Sequence, residues 1–299
     1  MKKVIFALVL VIAMLAGCSS GPDYKITMSK PLYFVKDKDT PFEIKVTESN
    51  KAVTGLKISV ELSMANMDHG TYKANLVEIG NGRYAGKVQL PMDGKYEMDY
   101  TLKKGDNKSE KVIDYVVKKP AGVATINGKW IKKEDLDFYQ FTNKLDLAMK
   151  RDQAKKRYSG KQLDEELSFL DSQEKTTGDK NQLLTQIIRL KAVALLAVEK
   201  GHTATTEEIT QAIEKMKEQY NQSESAKALI QQYGEEKFWN LEKEQSKDMV
   251  LATMVQQDVI AQVKKDNPKA SNQEIQYDAD QNFDDLLVSQ MNSLNIQIL

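Results

Sequence analysis

Hydrophobic and polar residues alternate through the first half of the chain, between Tyr24 and Lys118. Alternation with a period of two is typical of β-strands that bury one face. Turn residues separate the alternating runs, and Asn81-Gly82 is the strongest signal because both residues tolerate the positive φ of a tight hairpin. Several short strands at this spacing predict a β-sandwich. The runs are Phe42-Ile44-Val46, Leu56 to Met64, Tyr84 to Leu90, Tyr96 to Leu102 and Val112 to Val117.

Beyond Lys118 the hydrophobic period becomes helical. Residues Val123 to Trp130 predict one strand with a turn, and capping boxes at Thr205 and Ser271 mark where two helices begin. The charged segment Lys161 to Asp179 is interpreted as a loop or a frayed helix. Helices are predicted at Lys133 to Lys156, Asn181 to Lys200, Thr206 to Tyr220, Ser225 to Tyr233, Glu235 to Lys265 and Ser271 to Met291.

The change of period predicts a two-domain fold, an all-β immunoglobulin-like sandwich followed by a mainly α-helical domain. The expected divisions are a signal segment over 1–18, a linker over 19–24, the sandwich over 25–118 and the helical domain over 119–299. A short alternating run at Asn295 to Leu299 is predicted to pair with Val123 to Asn127, because an isolated strand would leave backbone donors unpaired.

The N-terminal segment predicts export. Lys2 and Lys3 precede the apolar stretch Val4 to Ala16, which is shorter than the roughly 20 residues that a membrane-spanning helix needs. Leu15-Ala16-Gly17-Cys18 closes the stretch and resembles the lipobox of bacterial lipoproteins. That resemblance implies that Cys18, the only cysteine, is lipidated and anchors the protein to the extracytoplasmic face of a cell membrane or an outer membrane.

Composition excludes several classes of function. Lys and Arg number 43 and Asp and Glu also 43, so no basic excess favours a nucleic-acid partner. The chain contains two histidines, His69 and His202, and no motif of a catalytic nucleophile, a zinc hydrolase or a phosphate-binding loop. The sequence therefore predicts a binding protein that is not an enzyme.

Residues of the predicted sandwich resemble the YtkA-like and FixH-like family of extracytoplasmic immunoglobulin-like domains. The resemblance is carried by Met64-x-x-Met67-x-His69, Gly82-x-Tyr84 and Met92-Asp93-Gly94-Lys95-Tyr96. Thioether and imidazole groups together suit copper(I), a soft ion. A copper(I) site is therefore a hypothesis for this loop, with a methionine-rich turn as the alternative. Its candidate ligands are Met64, Met67, His69, Met92 and Met98.

The helical half resembles the N-terminal chaperone domain of SurA and PrsA, from Gly122 to Leu299. The resemblance is carried by Val123 to Gly128, by Leu183 to Gly201 and by Thr205 to Ile209. In those proteins a parvulin isomerase domain is inserted before the last helix, where this chain has Asp266-Asn267-Pro268-Lys269-Ala270. We therefore expect no isomerase activity.

Two functions remain open from the sequence. The first is a lipid-anchored holdase for unfolded or partly folded exported or membrane proteins, with Phe138, Phe141, Phe238 and Trp239 as client contacts or, alternatively, as core residues. The second is copper binding, delivery or assembly through the sandwich. An exposed apolar groove would favour the first, and metal-dependent stabilisation of the sandwich the second.

Overall fold

The computed structural model describes residues 22–67 and 69–299. The chain forms two compact units, of which the first runs to Pro120 and the second covers Ala121–Ile298. The predicted order of an all-β sandwich followed by a mainly helical region is confirmed. The predicted signal segment 1–18, including Cys18, lies outside the described residues.

The first unit is built from antiparallel strands in the order β1-β2-β6-β5-β4-β7-β8, with the short β3 beside β2. The strand β5 joins the two layers, because Thr71 to Leu76 pair with β4 whereas Val77 to Gly80 pair with β6. The strands are β1 (Lys25–Lys30), β2 (Thr40–Glu48), β3 (Lys51–Ala52), β4 (Lys57–Met64), β5 (Thr71–Gly80), β6 (Arg83–Val88), β7 (Gly94–Lys104) and β8 (Asn107–Val117).

One hydrophobic core fills the space between the layers. Phe42 and Ile44 from β2 and Leu62 from β4 are fully buried in it, as the alternation predicts. The hairpin between β5 and β6 turns at Asn81 and Gly82, whose φ angles of 54° and 68° confirm the turn signal. Gly82 also allows a close approach, since a Cβ there would lie 2.8 Å from the carbonyl oxygen of Val46. A side chain at this position would therefore break the turn.

Besides the two-residue β3, the strands β1 and β5 were not among the predicted runs. In β1 the inward residues Ile26 and Met28 are only partly buried, and in β5 only Ala74 and Leu76 are buried. Both strands therefore show weak alternation, and pairing with neighbouring strands rather than side-chain pattern stabilises them.

The second unit surrounds a central helix, α3, and begins with the hairpin β9–β10. Its elements are β9 (Ala124–Ile126), β10 (Lys129–Ile131), α1 (Lys133–Arg157), α2 (Gly160–Thr176), α3 (Lys180–Glu199), α4 (Thr206–Asn221), α5 (Glu224–Tyr233), α6 (Glu235–Asp266), α7 (Asn272–Ser293) and β11 (Ile296–Ile298). Among the described residues α3 is the one helix long and apolar enough to cross a membrane, a composition also expected of a core helix. Its buried residues pack against the helical unit itself.

The last strand closes the helical unit as predicted. Strand β11 pairs with β9 in antiparallel register, with Ile296 opposite Ile126. The backbone N–H of Asn127 donates to the carbonyl oxygen of Asn295 at 2.9 Å. The segment interpreted as a loop or a frayed helix is instead the regular helix α2. Arg151 of α1 holds it through contacts of 2.7 Å to Asp171 and to Glu174.

Candidate functional site

The candidate metal ligands lie mostly at one end of the sandwich. Met64 is the last residue of β4, Met67 and His69 follow it in the connection to β5, and Met92 lies in the connection that leads into β7. Strands β4 and β7 hold these connections side by side, because Met64 is opposite Tyr96 and the N–H of Ala65 donates to the carbonyl oxygen of Lys95 at 3.1 Å. The fold therefore brings two separate segments of sequence together.

Met64 packs over the start of β7. Its side chain is half-buried, and its methyl group fills the space beside Gly94, where a Cβ would lie only 2.8 Å from it. The thioether is therefore held against the strand start that directly follows the Met92 connection.

Two tyrosines anchor the connections and were not among the predicted site residues. The Tyr96 hydroxyl donates to the carbonyl oxygen of Met92 at 2.9 Å, and the Tyr72 hydroxyl donates to that of His69 at 2.8 Å. Burial raises the pKa of Tyr96, and the charges of Tyr72 and Asp93 act in the same direction. Their positions in the sequence could have identified these tyrosines. Tyr72 follows His69 by three residues, and Tyr96 is the first inward-facing residue in the alternation of β7.

The five candidate ligands differ in accessibility. Met67 is 52% exposed and His69 is also exposed, whereas Met64 and Met92 are half-buried. Met98 is completely buried opposite Leu62, and its sulfur accepts a hydrogen bond from the Tyr100 hydroxyl at 3.6 Å. The structure therefore places Met98 in the core, and the inclusion of Met98 in the ligand set is corrected.

In the part of the chain that the structure describes, the other common metal-binding side chains do not form a comparable arrangement. Within residues 22–67 and 69–299, no three His, Cys, Asp or Glu side chains come together as a metal site. The other histidine, His202, contacts Asp258 with its Nε2 at 2.7 Å, directly after the helix-ending Gly201. Among the described residues, a metal site at this end of the sandwich would therefore draw on methionine sulfur beside His69.

The four predicted client contacts belong to an aromatic cluster in the helical unit. We define this aromatic cluster as Phe138, Phe141, Tyr220, Tyr233, Phe238 and Trp239. Phe238 is at its centre, with ring centroids 5.7 Å from Phe138 and 4.8 Å from Trp239. Phe141 stacks on Tyr233 at 4.2 Å. Helices α1, α4, α5 and α6 each contribute to the cluster.

Burial changes the interpretation of these aromatic residues. Phe138 and Phe238 are 4% and 0% exposed, and Phe141 and Trp239 are partly buried against them. Phe138 and Phe238 are therefore core residues in this conformation, which favours the alternative given for them over a role as client contacts. The physical reason is that helices α1 and α6 each bury an apolar stripe, and the aromatics lie on those stripes.

Comparisons with known proteins concern the first domain. No curated protein matches the chain significantly. The fibronectin type-III domain of human fibronectin type III domain containing protein 3 is 19% identical, with 36% of this chain and 95% of that domain covered and a TM-score of 0.20. The PKD domain of the human VPS10 domain-containing receptor SorCS2 is 8% identical, with 41% and 94% covered and a TM-score of 0.21. Residues 21–101 match the model of the YtkA-like family, so the first domain of this chain is similar to YtkA-like domains.

Proposed function

We propose that this chain is an exported protein, anchored through Cys18, whose sandwich binds copper(I) through Met64, Met67 and His69, with Met92 as a fourth ligand. The observation that carries the proposal is the position of these residues at one end of the sandwich, on two connections held together by β4 and β7. The YtkA-like match of residues 21–101 is consistent with export.

The donor set fits copper(I) better than other common metals. Thioether sulfur is a soft ligand that copper(I) accepts and that magnesium, calcium and zinc sites rarely use. Met64 is held in place beside Gly94, whereas the exposed Met67 and His69 have room to turn towards a bound ion. Such a site would hold and release copper without a reaction of its own, so the proposal includes no enzymatic activity.

Replacing Met67 by leucine and His69 by glutamine together is expected to weaken copper(I) binding at least tenfold, because two of the proposed ligands are lost. Both residues are exposed, so the fold should be unchanged. The measurement is titration with copper(I) against a competing chelator, beside circular dichroism of both proteins. Adding Met64→Leu should abolish the remaining binding.

The chain offers a matched control for this experiment. Met249 is 40% exposed and His202 is the second histidine, and both lie in the helical unit. The variant that carries Met249→Leu and His202→Gln removes the same donor types and should bind copper(I) as the unchanged protein does. Equal binding by all three proteins would contradict the proposal and leave a methionine-rich turn.

A second candidate function is that the helical unit binds unfolded exported chains. Exposed apolar side chains in this unit favour it, because Phe169 of α2 is 57% exposed and Tyr277 of α7 is 67% exposed. Tyr277 also lines an open cleft of about 750 Å³ at the turn between α6 and α7. This turn, Asp266 to Ala270, is too short for an isomerase domain, which supports the expectation that isomerase activity is lacking.

Residues 121–299 are expected to suppress aggregation of a chemically denatured client at several-fold molar excess, while residues 22–120 do not. The reason is that exposed apolar surface retains unfolded chains through the hydrophobic effect. Light scattering during dilution of the client measures the effect. The same fragment should leave the cis–trans isomerisation rate of a proline peptide unchanged. Undiminished scattering with residues 121–299 would exclude the holdase function.

A further inference from the structure

Three side chains on one face of α6 each have a buried polar atom without a hydrogen-bond partner. They are Glu242, Gln245 and Ser246, whose Oε2, Oε1 and Oγ atoms respectively have no partner. Glu242 is 2% exposed and Ser246 is completely buried. An unpaired polar group inside a protein costs free energy, and an unpaired charge costs more. Protonation of the Glu242 carboxyl removes its charge and therefore lowers this cost.

This polar face directly continues the aromatic cluster. Glu242 follows Phe238, the centre of the cluster, by one helical turn, and residues four apart lie on the same face of a helix. Burial is the main cause that raises the pKa of Tyr139 on α1 and of Tyr220 on α4. The charge of Glu242 acts in the same direction on both, after that of Asp248 for Tyr139, so both tyrosines lie near Glu242. A change in the charge of Glu242 therefore acts on the contacts between α6 and both of these helices.

Among residues 22–67 and 69–299, no cation offsets the charge of a buried Glu242 carboxylate. On α3, Lys191 is paired with Asp248 at 3.2 Å, and on α4, Lys217 lies 5.4 Å from the centre of the Trp239 ring. Beside α5, Lys237 lies 4.9 Å from the ring of Tyr233. Helix α7 shares apolar clusters with α6, and the α6 residues in these clusters begin at Leu251. They therefore lie beyond Glu242 along the helix.

Burial alone determines the proton affinity of Glu242. It raises the pKa of this carboxyl to about 7, and no neighbouring charge in the described residues contributes. Below that pH the buried carboxyl is therefore mainly protonated.

We propose that Glu242 is a pH-sensitive switch on the aromatic cluster: when its carboxyl loses a proton, α6 separates from α1 and α4 and the aromatic cluster becomes accessible to solvent. The physical cause is that water can reach the carboxylate only if the contact of α6 with α1 and α4 opens. The switch is independent of copper binding by the sandwich. It would control when the helical unit presents aromatic surface.

The direction of the pH dependence follows from linkage. A carboxyl whose pKa is higher in the folded than in the unfolded protein contributes stability that is fully present below its unfolded value, 4.5 for Glu242. This contribution is lost as the pH rises through about 7. The closed form of the aromatic cluster is therefore favoured in mild acid, and opening becomes easier at alkaline pH.

The experiment uses the full chain with Trp130→Phe, which leaves Trp239 as the only tryptophan. Iodide quenching of Trp239 should increase between pH 5.5 and pH 8.5, with a midpoint near the raised pKa. Hydrogen exchange of the α6 amides is measured in this protein and in its Glu242→Gln variant at the same pH. Base catalysis raises the intrinsic exchange rate of both proteins equally, so it cancels in the comparison. The ratio of the two exchange rates should rise by about 30-fold over this range.

Controls separate the switch from general effects of pH. Glu244→Gln, at an exposed position of the same helix, should behave as the unchanged protein does. If Glu242→Gln does not fold, Glu242→Leu takes its place as the variant without a charge. The proposal is overturned if Trp239 quenching shows no transition between pH 5.5 and pH 8.5. It is also overturned if the transition persists in the folded variant that lacks Glu242.

Discussion

Replacing Phe238 by alanine is expected to lower the free energy of unfolding of the helical unit by about 3–5 kcal/mol. Phe238 is completely buried, and its ring contacts those of Phe138, Phe141, Tyr220 and Trp239. The substitution removes this contact area and leaves a cavity that the surrounding rings fill only in part.

The measurement is thermal unfolding followed by circular dichroism at a helical wavelength, which reports on the second unit. For a unit of this size, about 4 kcal/mol corresponds to a fall in Tm of roughly 10 °C. Phe169→Ala on α2 is the matched control, because its side chain is 57% exposed. Surface substitutions usually change stability by less than about 0.5 kcal/mol. Equal falls in Tm for both variants would contradict the assignment of Phe238 to the core.

The second large effect is expected from Tyr84→Phe in the sandwich. The Tyr84 hydroxyl donates to the carbonyl oxygen of Val53 at 3.0 Å and accepts from the N–H of Leu56 at 3.1 Å. The residue is completely buried, and burial raises the pKa of its hydroxyl. Phenylalanine fills nearly the same space but leaves both backbone groups unpaired. The expected cost is about 1–3 kcal/mol.

Hydrogen exchange gives this second prediction a local readout. The Leu56 amide should exchange faster in Tyr84→Phe, because the hydroxyl that accepts its hydrogen bond is missing. Tyr277→Phe is the control, since Tyr277 is 67% exposed and its hydroxyl faces solvent. Unchanged protection of Leu56 would show that the connection from β3 to β4 does not depend on Tyr84.

Periodicity predicted the elements whose residues bury one regular face. The strands around Phe42, Leu62 and Tyr96 and the helices α3 and α6 follow from spacing, because each pattern records which side faces the core. Strand β5 shows the limit of such patterns. It leaves one layer for the other at Leu76, so its residues face two different partners and no single alternation describes it.

The sequence by itself determined the chemistry available for a site, namely the soft ligands Met64, Met67 and His69 and the absence of catalytic motifs. It also determined that Asn295 to Leu299 needed a strand partner. Only the tertiary structure decided which residues are accessible, since burial depends on elements that are distant in the chain. It therefore separated Met92 from the buried Met98 and placed Phe238 in a core. It also left Glu242 without a partner, because the helices around α6 bring tyrosines rather than a cation to that position.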